Sequence, residues 1–223
     1  RPGHDSSGQY KIILILTLMN KKLLLLLFAF SMVVFAACDK NAGKTASGQP
    51  EVKKGVAPVA DSEIAVIEME EPAYGTIKIE LYSNIAPKAV ARFKELAREG
   101  FYNGTTFHRI NDSVIQGGDP LSKDDDPTND GTGNSDKPNV EAEFSDIPYD
   151  VGIVGAARRQ DFNSANSQFF ITLRRQPAFD NKYTVFGKVI EGMNFVRTIA
   201  GAPKQGERPL DAIRIKQVTI QPR

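Results

Sequence analysis

The stretch FHRINDSVIQGGD, residues 107–119, decides the fold and raises the first functional question. Its apolar residues have the spacing of two short paired strands, and it ends in two glycines and an aspartate. Among those apolar residues it carries Arg109, which stays protonated, and the amide of Gln116. Because an unpaired buried charge is costly, Arg109 is expected either in a surface ion pair or in a functional site.

The patterns around this stretch predict a mainly β chain with two helices. Alternating apolar residues at 64–69 and 76–82, separated by a turn at 71–75, predict a β-hairpin. Apolar residues at helical spacing, with Pro87 at the start and Gly100 just past the end, predict a helix. Further strands are predicted near 105–110, 114–117, 152–157, 168–173, 184–190 and 213–220, with a second helix at 192–200. Many short strands with two helices predict a β-barrel capped by helices.

Composition argues against several functional classes. The chain has 28 Lys and Arg against 27 Asp and Glu, of which residues 1–37 hold four cations and one acid. The remainder carries 24 against 26, a net charge of −2, so no nucleic-acid partner is expected. One cysteine allows no internal disulfide, and two histidines supply no metal-binding cluster, so no metal or other cofactor is expected.

The N-terminal region has the layout of an export signal. Two lysines at 21–22 precede an apolar core of 13 residues, 23–35, and two alanines lead directly into Cys38. This core is shorter than the roughly 20 residues that a membrane-spanning helix needs. The motif Phe-Ala-Ala-Cys resembles the lipobox of bacterial lipoproteins, whose cysteine receives a diacylglycerol and becomes the new N-terminus. The alternative is a non-lipidated signal with an incidental cysteine.

These features predict how the chain is organised. Residues 1–18 precede the methionine that begins the signal, and we interpret them as a mis-assigned upstream extension. Residues 19–38 are predicted to be a lipoprotein signal peptide, and 39–61, rich in Lys, Ala, Gly, Pro and Ser, a flexible tether. Residues 62–223 are the predicted folded domain. We therefore expect a monomer anchored to a membrane of the bacterial cell envelope through Cys38, on the periplasmic or another extracytoplasmic face.

Motifs along the folded domain carry a family resemblance. FHRI at 107–110, QGGD at 116–119, SQFF at 167–170 and VFGKV at 185–189 occur in that order. Together they resemble the cyclophilin-type peptidyl-prolyl cis-trans isomerases over residues 63–222. The resemblance implies a closed antiparallel eight-stranded barrel with two α-helices, proline-containing polypeptides as partners, and isomerisation of X–Pro bonds. With the export signal, it implies an enzyme that assists the folding of exported proteins.

In this family an arginine is catalytic, and Arg109 matches its position. An X–Pro amide isomerises slowly because resonance stiffens its C–N bond, with a barrier of roughly 18–20 kcal/mol. In the twisted transition state the proline nitrogen regains a lone pair, to which a guanidinium can donate. Such a donor stabilises the twisted state more than either planar state, which is the requirement for catalysis.

The resemblance assigns further roles residue by residue. Gln116 matches the glutamine that binds the substrate backbone, and Phe170 matches the aromatic floor of the proline pocket. The other predicted substrate-binding residues are Val114, Ala157, Gln168, Phe179 and Tyr183. Structural alternatives are that the glutamines cap strand ends and that Phe170 simply packs in the core. His108 is predicted to be a hydrogen-bonded structural residue on the opposite side of its strand.

The segment 111–114 departs from the family pattern. Relatives commonly carry a Pro-Gly-Phe-Met-like run there, whereas this chain has Asn-Asp-Ser-Val, with one residue fewer before the glutamine. Ser113 and Val114 would then replace two larger apolar walls of the proline pocket, making it shallower. Ala178 and Tyr183 stand where many relatives carry tryptophan and histidine. The alternative function is therefore a low-turnover chaperone or scaffold that binds proline-containing segments on the same fold.

Overall fold

The computed structural model describes residues 48–223; the predicted signal peptide, the extension before it and Cys38 lie outside this part. No helix within residues 48–223 is both long and apolar enough to cross a membrane. The strands of this part are β1 (Val52–Lys53), β2 (Glu63–Met69), β3 (Thr76–Leu81), β4 (Arg109–Ile110), β5 (Val114–Gly117), β6 (Phe144–Ser145), β7 (Ile153–Ala156), β8 (Phe169–Thr172), β9 (Val185–Glu191), β10 (Lys204–Gln205), β11 (Arg208–Pro209) and β12 (Ile215–Pro222). The α-helices are α1 (Pro87–Arg98) and α2 (Met193–Ala200).

Eight of these strands form one antiparallel sheet that curls until its edges meet. The order in the sheet is β12-β2-β3-β9-β7-β8-β5-β4. Just before β4 and β12, Thr106 and Arg214 form an antiparallel bridge between the two edges. The backbone N–H of Phe107 also donates to the carbonyl oxygen of Ile213 at 3.0 Å. The predicted mainly β architecture with two helices is confirmed.

The predicted first hairpin shows how alternation builds the core. β2 and β3 pair around a 3-10 turn at Pro72–Tyr74. Ile67 lies opposite Ile77, Ala65 lies opposite Ile79, and all four side chains are fully buried. Since successive side chains of a strand project to opposite faces, one face of each strand enters the barrel interior.

Both predicted helices are present, and α1 shows how a helix covers the barrel. The carboxylate of Glu143 accepts hydrogen bonds from the backbone N–H groups of Lys88 and Ala89 at 3.0–3.1 Å. A carboxylate at this end satisfies donors that have no partner within the helix. On the buried side of α1, Phe93 contacts three core rings at centroid distances of 5.2–5.5 Å, those of Tyr102, Phe169 and Phe186.

Residues 52–59, which belong to the flexible tether expected over 39–61, are attached to the domain, whereas residues 39–47 lie outside the described part. β1 pairs in parallel with β6. Nζ of Lys53 donates to the carbonyl oxygen of Asn84 at 2.9 Å. The side chain of Asn84 donates to the carbonyl oxygen of Ala57 and accepts from the backbone N–H of Val59. These contacts use backbone and polar groups, so apolar periodicity in the sequence could not reveal them.

Candidate active site

One open groove on the domain collects the residues that the sequence singled out. Its volume is about 620 Å³, and its lining includes Arg109, Val114, Gln116, Ala157, Phe170, Phe179 and Tyr183. Gln168 adjoins this lining through a hydrogen bond to Gln116. All the site residues predicted within the folded domain therefore lie together, and their individual roles stay predictions.

The register of four neighbouring strands builds the centre of the groove. Arg109 on β4 lies opposite Gln116 on β5, which lies opposite Phe170 on β8. Phe170 in turn lies opposite Gly155 on β7. Residues directly opposite one another in an antiparallel sheet project from the same face. The strands therefore present a cation, an amide and an aromatic ring in one row.

A line of hydrogen bonds fixes the polar side of this row. Nη1 of Arg109 donates to Oε1 of Gln116 at 3.2 Å, and Nε2 of Gln116 donates to Oε1 of Gln168 at 2.9 Å. Nε2 of Gln168 donates to the carbonyl oxygens of Gly131 and Gly133 at 3.1 and 2.9 Å. The two glutamines thus bind each other and a neighbouring loop, which sets the orientation of both amides.

A buried carboxylate organises that loop. Asp119 is fully buried and accepts hydrogen bonds from the backbone N–H groups of Leu121, Gly131 and Gly133. Asp119 belongs to the QGGD motif, but its role could not be predicted, because its loop partners lie 12 and 14 residues further along the chain. It holds the carbonyl groups that receive Gln168.

Aromatic rings form the floor of the groove. Phe170 packs edge-on against Phe179 and Tyr183 at 5.6 Å between centroids and stacks on Tyr149 at 5.7 Å. Gly155 leaves room for this cluster, because a Cβ at that position would lie 2.4 Å from Cζ of Phe170. Phe170 is therefore both well packed and part of the lining, and the cluster offers an apolar surface to a small ring.

Arg158 supplies a second cation to the groove lining. Its Cζ lies 4.7 Å from the ring centroid of Phe162 and 4.6 Å from that of Tyr183. Its guanidinium also donates to the carbonyl oxygen of Lys182 at 2.9–3.2 Å. Cation–π contacts and hydrogen bonds together hold the side chain against the aromatic wall. Sequence reasoning assigned Arg158 no role.

The side chain of Arg109 is 46% exposed, and an acid that the sequence did not reveal binds its guanidinium. Nε of Arg109 donates to Oε2 of Glu207 at 2.5 Å, and Nδ2 of Asn111 donates to Oε1 of the same carboxylate at 2.8 Å. These two hydrogen bonds, that of Arg109 first, hold the pKa of Glu207 below its ordinary value of 4.5. Arg109 therefore forms an ion pair, as expected if its role were structural, and it also lines the groove.

Comparison with known proteins decides the family. The family model described as "Cyclophilin type peptidyl-prolyl cis-trans isomerase/CLD" matches residues 65–220, most of the chain. The chain belongs to the cyclophilin-type peptidyl-prolyl cis-trans isomerases.

Named relatives of this cyclophilin agree. A Brucella suis protein named "Probable peptidyl-prolyl cis-trans isomerase" is 41% identical over 176 residues, 77% of this chain and 83% of that protein. The Dictyostelium discoideum "Peptidyl-prolyl cis-trans isomerase cypE" is 39% identical over 151 residues, 65% of this chain and 91% of that protein. A Cryptosporidium parvum cyclophilin type peptidyl-prolyl cis-trans isomerase, crystallised in the presence of the dipeptide Ala-Pro, has a TM-score of 0.64 and 31% identity, covering 72% of this chain and 99% of that one. The predicted enzyme class is confirmed.

The cyclophilin closes the hairpin of β4 and β5 with a compact turn at 111–114. The backbone N–H of Asn111 donates to the carbonyl oxygen of Val114 at 3.1 Å, and Oδ1 of Asn111 accepts from the N–H groups of Ser113 and Val114 at 2.8 and 3.0 Å. Val114 lines the groove as predicted, but Ser113 lies in the turn and is not among the lining residues. Ser113 therefore supplies no wall to the groove, and the prediction of a shallower proline pocket stays a prediction.

His108 also differs from the prediction. It lines the same groove as Arg109, and neither of its ring nitrogens has a partner at full hydrogen-bond geometry within residues 48–223, although the Thr106 backbone lies close enough to raise its pKa against the effect of burial. Burial lowers the pKa of His108 from its ordinary value of 6.5. Within the same residues, no three His, Cys, Asp or Glu side chains are grouped so that they could hold a metal ion.

Proposed function

We propose that this cyclophilin isomerises X–Pro bonds of exported polypeptides at the bacterial cell envelope, with Arg109 as its catalytic residue. The observation that carries the proposal is a half-exposed arginine side chain in register with an aromatic floor. Arg109 bonds to Gln116, and Gln116 lies directly opposite Phe170. A proline ring resting on Phe170 would have its nitrogen on the side of the groove where a permanent donor lies.

Catalysis of this isomerisation requires only that the site bind the transition state more tightly than the ground state. Isomerisation breaks no σ bond, so the site has to stabilise the twisted amide more than the planar one. Twisting removes the resonance that creates a barrier of roughly 18–20 kcal/mol and returns a lone pair to the proline nitrogen. An N–H of Arg109 aimed at that lone pair gains a hydrogen bond that neither planar state offers. Each 1.4 kcal/mol of this difference accelerates the reaction about tenfold.

The remaining predicted residues would hold the polypeptide on either side of the proline. Gln116 and Gln168 carry fixed amides along the wall, and Phe179 and Tyr183 extend the aromatic floor. Ala157 lines the groove between these walls and would receive the substrate backbone. The Cryptosporidium parvum relative crystallised in the presence of Ala-Pro supports proline-containing polypeptides as partners.

Export and anchoring rest on the N-terminal sequence. A basic start, an apolar core of 13 residues and a small-residue approach to the chain's one cysteine support a lipid anchor on Cys38. A single acyl chain gives only marginal membrane binding, and a diacylglycerol supplies two chains. We propose a monomer whose catalytic domain works beside the envelope membrane.

Turnover measured on the full-length chain in detergent tests the enzymatic proposal. Exchange between cis and trans signals of a short Ala-Pro peptide, followed by NMR, gives the isomerisation rate without a coupled protease. The low-turnover binding alternative is favoured by the small wall that Val114 provides. Peptide binding without accelerated exchange in a folded chain would select that alternative and reject Arg109 as a working catalyst.

A further inference from the structure

Glu207 lies at the tip of a short hairpin that reaches Arg109. β10 and β11 pair around a two-residue turn, in which Gly206 has φ of 63°, a conformation that glycine adopts at little cost. The backbone N–H of Ile110 donates to the carbonyl oxygen of Glu207 at 2.7 Å. Since Ile110 is fully buried, this bond fixes the hairpin tip to a core strand beside the arginine.

The side chain of Glu207 connects two parts of the site. One carboxylate oxygen accepts from Nε of Arg109 and the other from Nδ2 of Asn111. The side-chain oxygen of Asn111 accepts hydrogen bonds within the turn that leads into Val114 and so fixes that turn. The guanidinium and one wall of the proline pocket are therefore held by the same small network.

This network restricts a side chain that would otherwise move freely. Arginine has four flexible side-chain torsions, and at 46% exposure the packing around Arg109 cannot fix them all. Gln116 holds Nη1 and Glu207 holds Nε, while Nη2 makes no hydrogen bond within residues 48–223. Two anchors on one planar group determine its plane, so Nη2 remains as an oriented donor.

We propose that Glu207 is a positioning residue for Arg109 and thereby helps to set the isomerisation rate. This inference rests on the proposed catalytic role of Arg109. A nearby carboxylate also lowers the net positive charge of the site, which opposes catalysis. We expect positioning to dominate, because solvent screens the Coulomb term in an open groove, whereas a donor misplaced by about 1 Å can lose most of its effect.

A double-mutant cycle on the full-length chain tests the coupling. The variants are Glu207→Ala, Glu207→Gln, Arg109→Ala and the double variant Arg109→Ala/Glu207→Ala. Glu191→Ala is the matched control, because Glu191 forms a similarly exposed ion pair with Lys78 at 2.7 Å that does not line the groove. The readouts are kcat and KM for an Ala-Pro peptide, with thermal unfolding and circular dichroism to monitor the fold, and the NMR signal of Arg109 Nε–H.

Glu207→Ala should lower kcat/KM about five- to tenfold, mainly through kcat, and shift the Nε–H signal towards that of a solvent-exposed arginine. Glu207→Gln, which keeps an acceptor oxygen, should recover part of that loss, and Glu191→Ala should behave as wild type. In the Arg109→Ala background, Glu207→Ala should lower kcat/KM less than threefold. The proposal would be overturned if Glu207→Ala lowered kcat/KM less than threefold in the wild-type background. It would also be overturned if Glu207→Ala lowered kcat/KM threefold or more in the Arg109→Ala background. Full activity of Arg109→Ala alone would instead reject the proposed role of the arginine.

Discussion

Replacing Gly155 by alanine should damage the proline pocket without removing any hydrogen-bonding group from Arg109, Gln116 or Gln168. The added Cβ would lie 2.4 Å from Cζ of Phe170 and 2.7 Å from the hydroxyl oxygen of Tyr149. Ordinary contacts begin near 3.4 Å, so the Phe170 ring has to retreat by about 1 Å. Phe179 and Tyr183 pack against the same ring at 5.6 Å, so this retreat displaces the whole floor.

The size of the effect follows from overpacking a filled aromatic cluster. Forcing one extra methyl group into a packed site typically costs about 1–3 kcal/mol. For a domain of this size each kcal/mol lowers Tm by roughly 2–4 °C, so we expect a decrease of about 2–12 °C. Because the floor contacts the proline ring in planar and twisted states alike, its displacement should raise KM severalfold and change kcat less.

The assay compares thermal unfolding and steady-state isomerisation of Gly155→Ala with those of Gly201→Ala. Gly201 is exposed, has φ of −83°, and would bring its Cβ no closer than 3.5 Å to its neighbours. The control should therefore retain the wild-type Tm and KM. If Gly155→Ala unfolds and binds peptide as the wild type does, the ring cluster is not tightly packed and does not form a fixed floor of the groove.

Three further predictions test other parts of the site and chain. Arg109→Ala should keep the circular dichroism of the wild type and lower kcat/KM by about 10- to 1,000-fold, equivalent to roughly 1.4–4 kcal/mol; unchanged activity in the folded variant would contradict this. Arg109 holds the pKa of Glu207 below 4.5, so the Glu207 carboxylate stays charged down to that pH. We therefore expect kcat to fall only as the pH drops further, through the lowered pKa of Glu207. Glu207→Gln should lack this acid limb, and a limb of equal size in the variant would assign it to another group. Cys38→Ser should release the protein from the membrane fraction or block its processing, and an unchanged carbonate-resistant membrane fraction would argue against the lipid anchor.

The sequence predicted those elements of the fold whose apolar residues repeat with a regular period within a single strand or helix. The β2–β3 hairpin, both helices and most barrel strands lie close to their predicted positions, because each buries one face and repeats with its own period. The predicted strand at 105–110 is shorter, since the structure assigns β4 only to Arg109–Ile110 and joins the earlier residues to the other edge by a bridge. The attachment of residues 52–59 could not be predicted because it relies on backbone groups and Asn84.

Some residues of the candidate site could be predicted from local sequence motifs, and others could not. Motifs located the groove residues because these lie on short strands, or in the segments directly next to them, that have recognisable sequences. Glu207 could not be found, since 98 residues separate it from Arg109 and a glutamate in a turn is ordinary surface chemistry. The position of Ser113 could not be predicted, because the sequence has one residue fewer in this segment and the Asn111 side chain organises the whole turn.

The strand register explains why a cation occurs among core residues at all. One row across the four strands β4, β5, β8 and β7 faces the groove, and it consists of Arg109, Gln116, Phe170 and Gly155. The adjacent row faces the barrel interior and is fully buried, and it consists of Ile110, Ile115, Ile171 and Val154. Because the side-chain period of a strand is two, a slip of one residue would exchange the rows, sending the guanidinium into the core and four aliphatic side chains into water. The burial energy that sets the register of these strands therefore also sets the alignment of the arginine, the glutamine and the aromatic floor.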